Sequence, residues 1–265
     1  MTTSRNVISL TTIPPRMDKI GPTLQSLLGQ NANIDVVVLW IPESYRRPEF
    51  GEFTIPAMPN GVEVRRCPID YGPATKVLPA VERFIGQDVR ILYCDDDRIY
   101  HPGWAANLLR ESDLHPGECM AEAGEVVRLA MRRAFKAGPA YVALKILTLG
   151  IHSYFFRRTN RLLAPGHGLV DICHGYGGVL VRPEFFTPAA FVIPDLLWTV
   201  DDIWLSGQLA LNGVLIRKIA HSPNSDKTDV ATISALIDYV DQDHGRYEAN
   251  QACIRYFQQT AGIWK

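Results

Sequence analysis

The chain has 265 residues, of which 47% are apolar and 21% are charged, as in an ordinary soluble globular protein. Its 27 basic and 28 acidic residues give a formal net charge of −1, which argues against a general nucleic-acid-binding protein. Five widely spaced cysteines without a Cys-x-x-Cys pair argue against a zinc site or a disulfide framework. The cysteine usage and the short apolar stretch at the N-terminus predict a cytoplasmic protein without a cleaved leader.

The first half of the chain alternates short apolar runs with helical patterns, which predicts an α/β fold with a mostly parallel, Rossmann-like sheet flanked by helices. The predicted strands are Val7–Leu10, Ile34–Ile41, Val62–Cys67 and Val89–Cys94, and the predicted helices are Ile20–Leu28 and Ala74–Ile85. In such sheets ligands bind beyond the carboxyl ends of the strands. We therefore expect the strand-end segments Thr11–Arg16, Asp70–Lys76 and Asp95–Asp97 to converge on one crevice.

The second half of the chain is less regular. Its predicted elements are a helix at Gly103–Arg110, a strand at Cys119–Ala123, a glycine turn and strand at Gly175–Val181, a helix at Asp201–Leu211, a strand at Val214–Ala220 and a helical stretch at Ala231–Phe257 broken near Gly245.

The segment 126–170 contains no acidic residue but eight Lys and Arg side chains. Two interpretations are open. The segment is either a helical, basic insertion beside the acceptor cleft or a basic and aromatic surface that makes peripheral contact with the inner face of a membrane. A spanning helix is not expected, because polar residues interrupt the roughly 20 apolar residues that it needs.

Three adjacent carboxylates, Asp95, Asp96 and Asp97, directly follow the apolar run VRILYC. Adjacent carboxylates repel one another, and a cation or a set of hydrogen-bond donors offsets that cost. Mg²⁺ and Mn²⁺ prefer carboxylate and phosphate oxygens. In an extended segment Asp95 and Asp97 lie on one face, as a pair that could meet a ribose and a diphosphate-bound metal. The alternative is a solvated turn that caps the next helix.

The motif Asp-Asp-Asp-Arg-Ile-Tyr-His-Pro-Gly-Trp, together with a first strand that ends in Thr-Thr-Ile-Pro-Pro-Arg, resembles the GT-A fold glycosyltransferases, in particular the family 2-like bacterial enzymes. The resemblance covers residues 5 to 225. It implies that Asp95 contacts the ribose of the donor nucleotide and that Asp97 binds Mn²⁺ or Mg²⁺. Many members carry an acidic residue after the second strand, where this chain reads Leu-Trp-Ile-Pro-Glu. That departure leaves the nucleotide open, with a UDP-sugar as the first expectation.

Further donor contacts are predicted on the same face. Lys76 falls in the first turn of a predicted helix, where backbone N–H groups favour anions, and could pair with a nucleotide phosphate. The alternative is an ordinary surface lysine. Arg16 could reach the same phosphates or be solvated, and Asp70 either binds the donor or makes a local turn. The full set of predicted donor-binding residues is Thr11, Arg16, Asp70, Lys76, Asp95 and Asp96.

The sequence Val-Asp-Asp-Ile-Trp resembles the acidic pair of inverting GT-A enzymes, which implies that Asp202 is the catalytic base and that Asp201 is a neighbour able to bind acceptor hydroxyls. The alternative is helix N-capping by these aspartates. Two metal roles follow from the resemblance: His221 as a ligand beside Asp97, and His174 as a weaker candidate. The predicted acceptor contacts are Trp104, Gly177 and Gly178.

These features predict a single GT-A domain with a nucleotide-binding half at 1–102, an acceptor-binding half at 103–225 and a C-terminal helical region at 226–265. The expected reaction is transfer of a sugar from a nucleotide-sugar donor to a carbohydrate or lipid-linked glycan, with inversion if Asp202 is the base. A sugar-nucleotide pyrophosphorylase and a non-catalytic glycan-binding module are the alternatives.

Overall fold

A twisted central sheet organises the computed structural model, which describes residues 4–135, 168–220, 226–234, 240–241 and 244–265. The strands are β1 Arg5–Thr11, β2 Val36–Pro42, β3 Val62–Cys67, β4 Val89–Tyr93, β5 Arg98–Ile99, β6 Cys119–Ala121, β7 Gly124–Glu125, β8 Gly168–Val170, β9 Ile172–Cys173, β10 Val179–Val181, β11 Ile216–Lys218, β12 Asp226–Lys227, β13 Val240–Asp241 and β14 His244–Gly245. The helices are α1 Gly21–Leu28, α2 Leu78–Phe84, α3 Trp104–Leu114, α4 Val127–Phe135, α5 Asp201–Leu211 and α6 Arg246–Thr260.

The main sheet has eight strands within the described residues, in the order β3-β2-β1-β4-β10-β6-β11-β8. Strands β1 to β4 pair in parallel, and β6 and β11 also pair in parallel. Strands β10 and β8 run antiparallel to their neighbours. Six of the eight strands therefore point the same way, which confirms the predicted mostly parallel sheet and brings their carboxyl ends to one edge.

Both faces of the sheet are covered, because successive strand residues point to opposite faces. On β1, Val7 belongs to the core that contains α2, α5 and α6, and Ile8 belongs to the core that contains α1 and α3. Both side chains are fully buried. A strand buried on both faces reads as a continuous apolar run, which is why β1, β2 and β4 were recognisable in the sequence.

Two predicted helices begin later than the sequence pattern suggests. The stretch predicted to start at Ala74 opens with a 3-10 turn at Gly72–Lys76, and the α-helix begins at Leu78 with a proline in its first turn. The helical stretch predicted over Ala231–Phe257 is confirmed from Arg246 onward, after the predicted break near Gly245, and is wrong for the described residues before that break. There a 3-10 turn at Asp229–Thr232 and the hairpin of β13 and β14 precede α6, whose helix begins at Arg246.

The basic segment 126–170 is described only at its ends. Helix α4 begins one residue into it and packs against α6. Residues 136–167, on which the prediction of an insertion or a membrane surface rests, lie outside the described residues. Among the helices that are described, none has both the length and the apolar character that a bilayer crossing requires.

Candidate functional site

A cavity of about 430 Å³ opens at the carboxyl edge of the parallel strands. The segments after β1, β3 and β4, which were predicted to converge, all contribute to its wall, and the first turn of α5 closes one side. Charged, hydroxyl and aromatic side chains make up much of the lining: Thr11, Thr12, Arg16, Tyr45, Arg47, Asp70, Lys76, Asp95, Asp96, Asp97, Tyr176, Trp198, Asp201, Asp202 and Lys227. Two acidic motifs about a hundred residues apart therefore face one space.

Asp96, the middle residue of the aspartate triplet Asp95–Asp97, is engaged by protein groups. Its carboxylate accepts hydrogen bonds from the Thr12 hydroxyl at 2.5 Å and from Arg16 Nη1 at 2.6 Å. Its backbone carbonyl accepts a bond from the Thr23 hydroxyl at 2.9 Å. Burial raises the pKa of Asp96, and Arg16 and Thr12 oppose that rise. Asp96 thus anchors the loop after β1, and its contact with the donor stays a prediction.

Arg16 connects two distant parts of the cavity wall. Besides its bond to Asp96, its Nε donates to the carbonyl of Ile233 at 2.9 Å. The side chain is only 12% exposed, so the guanidinium lies in the wall between the first loop and the segment after β12. It lines the cavity, as the prediction of a phosphate contact requires, but its known partners are protein atoms.

Lys76 lies between the two acidic motifs. Its ammonium is 2.5 Å from Asp95 Oδ1 and 2.7 Å from Asp201 Oδ2, and its side chain is 5% exposed. Burial alone would lower the pKa of Lys76, but Asp201, Asp95 and Asp202 raise it well above the usual value. The lysine is therefore not a surface residue, and its pairing with a nucleotide phosphate stays a prediction. It is a buried cation that joins the aspartate triplet to the acidic pair Asp201–Asp202.

Asp97 is the member of the triplet with an uncommitted oxygen. Its Oδ1 is buried and has no hydrogen-bond partner within the described residues, and Arg98 Nε is 3.8 Å away. Burial and the neighbouring Asp95 raise the pKa of Asp97. No group of three His, Cys, Asp or Glu side chains that could hold a metal occurs in the described part of the chain. A single free carboxylate fits a metal held jointly with substrate phosphates, as Mg²⁺ often is.

The acidic pair opens α5, and its two members have different surroundings. Asp201 is 3% exposed and pairs with Lys76, Asp202 is held by groups of the Gly175 turn, and both aspartates line the cavity. Asp202 Oδ1 accepts a hydrogen bond from the backbone N–H of Gly175 at 2.9 Å, and Oδ2 is 3.3 Å from His174 Nδ1. Burial would raise the pKa of Asp202, but His174, Lys76 and the Gly175 N–H lower it strongly.

The two histidines considered as metal ligands have different outcomes. His221 lies outside the described residues. His174 lies between Asp202 and Glu125, with Nε2 at 3.4 Å from Glu125 Oε1. Burial alone would lower the pKa of His174, but its bonds to Asp202 and Glu125 raise it to about 10. Both ring nitrogens face carboxylates of the protein, and the metal role of His174 stays a prediction.

Trp104, predicted to contact the acceptor, lies in the core. It is 1% exposed, and its indole N–H donates to the carbonyl of Gly177 at 2.9 Å. Gly178 has a φ of +89°, and a Cβ there would come within 2.2 Å of the Trp104 indole. None of Trp104, Gly177 and Gly178 lines the cavity. These residues pack the Gly175–Gly178 turn against the core. Position 178 must be glycine, because a side chain there would overlap the Trp104 indole.

Gly178→Ala is expected to destabilise the fold by about 3 kcal/mol, because it combines a left-handed backbone with a clash against a buried indole. Gly117 is a matched control, since its φ is also +89° but nothing lies within 4 Å of the point that a Cβ would occupy. Gly117→Ala should cost about 1 kcal/mol, the backbone contribution alone. Urea unfolding measures both values, and equal losses would contradict the contact with Trp104.

Thr11 and Asp70 line the cavity as predicted, although local bonds hold both. The Thr11 hydroxyl donates to the Trp40 carbonyl at 2.8 Å. The Asp70 carboxylate accepts from the backbone N–H groups of Gly72 at 2.8 Å and Arg46 at 2.7 Å. Burial raises the pKa of Asp70, and these N–H groups oppose the rise. Asp70 thus joins the loop after β2 to the turn after β3.

Several lining residues were missed by sequence reasoning: Thr12, Tyr45, Arg47, Tyr176, Trp198 and Lys227. Some carried a usable signal. Tyr176 stands inside the glycine turn, and Trp198 precedes the acidic pair by three residues. Lys227 carried none, because its place depends on the pairing of β12 with β5 beside Asp97. Loop residues without a periodic pattern can be identified as cavity residues only once the pairing of the strands that support them is known.

Comparison with known proteins gives matches among solved structures. No family model and no curated protein matches the chain. The glucosyl-3-phosphoglycerate synthase of Mycobacterium tuberculosis, in complex with UDP, aligns with a TM-score of 0.50 at 12% identity, over 98% of this chain and 81% of the synthase. Staphylococcus aureus TarS (residues 1–349) aligns at 0.47 and 12% identity, over 98% of this chain and 74% of TarS.

The mannosyltransferase of Pyrobaculum calidifontis, in complex with GDP-Man and Mn²⁺, aligns at 0.44 and 12% identity, over 84% of this chain. This chain covers 56% of the mannosyltransferase. The likeness to the synthase shows a common fold, and together with the sheet described above it confirms the GT-A type architecture.

Proposed function

We propose that the chain is a glycosyltransferase that moves a sugar from a nucleoside-diphosphate sugar to a hydroxyl group of a carbohydrate or glycolipid. The observation that carries the proposal is the convergence of the aspartate triplet and the acidic pair on one cavity of a GT-A sheet. Sugar transfer needs both a site for the donor diphosphate and a carboxylate near the acceptor, and the two motifs can serve these two ends.

The donor half of the proposed site uses the loops after β1, β3 and β4. Asp95 is the partly exposed member of the triplet, with a third of its side chain accessible, and we assign it the ribose contact. Thr11, Arg16 and Asp70 surround the same space and are proposed to hold the nucleotide. The UDP bound to the synthase of the same fold supports a nucleotide-sugar donor without deciding its base.

Asp97 is the proposed protein ligand of Mn²⁺ or Mg²⁺, with His221 as a second. The uncommitted Oδ1 of Asp97 supports this assignment. A bound divalent cation would neutralise the departing diphosphate. Other residues position the site. Asp96 and Arg16 fix the loop after β1, and Lys76 joins the aspartate triplet to the acidic pair through Asp95 and Asp201.

On the acceptor side, Asp202 is the proposed general base. Each of its oxygens has one protein donor, which leaves lone pairs for an acceptor hydroxyl. Asp201 is buried against Lys76, so we assign it a positioning role rather than a direct contact with the acceptor. If Asp202 takes the proton from the side opposite the leaving group, the anomeric configuration of the sugar is inverted.

The proposal is tested by incubating the protein with Mn²⁺ and a panel of UDP-, GDP-, TDP- and ADP-sugars and by measuring the free nucleotide. Release of nucleoside diphosphate from at least one donor supports a transferase, because such enzymes hydrolyse the donor slowly without acceptor. Release of nucleoside triphosphate on addition of pyrophosphate would indicate a pyrophosphorylase instead. Nucleotide binding by calorimetry without turnover of any donor would leave only the binding-module alternative.

Asp97→Asn is expected to lower donor turnover by about 100-fold and to raise the Mn²⁺ concentration that gives half-maximal rate, because an amide oxygen is a weaker ligand than a carboxylate. Turnover as a function of Mn²⁺ measures both effects. Asp113→Asn is the control, since Asp113 is an exposed carboxylate on α3 paired with Arg90, outside the cavity. An Asp97 variant with an unchanged Mn²⁺ dependence would contradict the assignment.

A further inference from the structure

The imidazole of His174 lies between two carboxylates, one of which, that of Asp202, lines the cavity. Its Nδ1 is 3.3 Å from Asp202 Oδ2, and its Nε2 is 3.4 Å from Glu125 Oε1. A neutral imidazole can donate a hydrogen bond through only one of its nitrogens, whereas an imidazolium donates through both. The arrangement therefore suits a protonated ring that contacts both carboxylates at once.

Main-chain hydrogen bonds on both sides of His174 fix the position of its backbone relative to α5. The N–H of His174 donates to the Ala123 carbonyl at 2.9 Å, and its neighbour Cys173 pairs within the β7–β9 ladder. The Cys173 N–H donates to the Ser206 hydroxyl at 3.0 Å, which in turn donates to the Asp202 carbonyl at 2.6 Å. The strand that carries the histidine is thus bonded directly to the helix turn that carries the aspartate.

We propose that His174, held by Glu125, is a positioning residue that fixes the Asp202 carboxylate as an oriented anion for the acceptor hydroxyl. The inference rests on the transferase function proposed above. The Gly175 N–H holds Oδ1 and His174 holds Oδ2, so the carboxylate is fixed at two points while Asp202 lines the cavity. A third group that orients the catalytic base is a recurring feature of enzymes that transfer protons.

The surrounding charges support this role. The bonds to Asp202 and Glu125 outweigh burial and raise the pKa of His174 to about 10, and His174 and Lys76 lower the pKa of Asp202. Because the pKa of the histidine is raised in the folded state, its charge stabilises the fold fully below its unfolded value, and this contribution disappears as the pH rises through about 10. The groups that face the ring are Glu125 from β7, Asp202 from α5 and Tyr176, whose ring is stacked on the imidazole with centroids 5.8 Å apart.

The test compares His174→Ala and His174→Gln with the wild type in transfer assays between about pH 5 and about pH 9. His174→Ala removes the donor and the charge, so the pKa of Asp202 rises and a share of the base is protonated in mild acid. We expect the ratio of variant to wild-type kcat to be about tenfold lower at the acid end than at the alkaline end, with little change in the donor KM. His174→Gln keeps a donor without charge, so it should recover rate at alkaline pH but retain the acid loss.

A second measurement does not depend on turnover. Side-chain ¹⁵N NMR of histidine should find both nitrogens of His174 protonated at about pH 8, and Asp202→Asn should lower its titration midpoint by at least about one pH unit. Glu125→Gln should lower the midpoint in the same direction. Circular dichroism of each variant at both ends of the pH range establishes that it is folded.

Each outcome decides the inference. Variant and wild-type pH profiles that run parallel, or a neutral His174 at about pH 8, overturn the positioning role while the transferase function stands. A wild-type protein that turns over no donor overturns the transferase function and the positioning role with it, even if NMR finds the ring protonated. A selective acid loss in both histidine variants, together with a protonated ring, supports the inference.

Discussion

Asp202→Asn is expected to lower kcat for sugar transfer by about 10³-fold, because an amide cannot take the proton of the acceptor hydroxyl. The asparagine occupies the same volume at the start of α5, so the fold and donor binding should change little. The carboxylate is now held by the Gly175 N–H on one oxygen and by His174 on the other. One of them will meet the amide NH₂ group, which is the main structural cost of the substitution.

The low pKa of Asp202 makes the prediction more specific. A carboxylate held by these donors is ionised throughout the neutral range, so it gives no acid limb to the wild-type pH profile there. The acceptor hydroxyl becomes strongly acidic only as it bonds to the anomeric carbon, so even a weak base can accept its proton late in the reaction. Asp201→Asn is the comparison variant. It removes the ion pair with Lys76, so we expect it to lower the free energy of unfolding more than kcat. An Asp202→Asn variant with wild-type kcat would contradict the assignment, and product anomer analysis would locate the base.

Lys76→Met is expected to lower the free energy of unfolding by about 3–5 kcal/mol, the typical cost of removing one partner from a buried ion pair. The ammonium is the close partner of both Asp95 and Asp201, and Asp201 is almost fully buried. Without the lysine, these two carboxylates and Asp202 repel one another in a region of low dielectric. Urea unfolding at neutral pH measures the loss.

Two control variants separate charge from packing. Lys19→Met removes an exposed lysine and should change stability by less than about 0.5 kcal/mol. The double variant Lys76→Met, Asp201→Asn should regain part of the loss, because it also removes one of the stranded charges. If the double variant were as unstable as the single variant, the loss would come from packing, for example around the Gly175 backbone that approaches the lysine.

The sequence predicted the sheet and the location of the cavity because both follow from local patterns. Apolar runs such as Val36–Ile41 mark buried strands, and parallel strands bring the loops that follow them to one edge. Helix α5 was predicted with the observed bounds, since the acidic pair at its start and Asn212–Gly213 at its end are ordinary helix signals.

The partners of individual side chains were not predictable in the same way. Asp95, Asp96 and Asp97 are the same residue type, and their contacts separate them. Asp95 pairs with Lys76, Asp96 bonds Thr12 and Arg16, and Asp97 Oδ1 accepts no hydrogen bond within the described residues. Trp104 looked like a cavity residue because it follows the triplet closely. Helix α3 turns that side chain into the core, and no local signal of the sequence encodes that rotation.

Strand β10 runs antiparallel to its neighbours β4 and β6. The glycine turn that precedes β10 in the chain therefore lies at the same edge of the sheet as the loops that follow the parallel strands. The four strands that carry the donor loops are consecutive in the first hundred residues, whereas the turn and the acidic pair come from the second half. Main-chain bonds of β10 to β4 and β6 do not depend on the side chains in that turn. On the proposed function, substitutions in the turn and the acidic pair would therefore change acceptor recognition while the first four strands keep the loops that we assign to the donor.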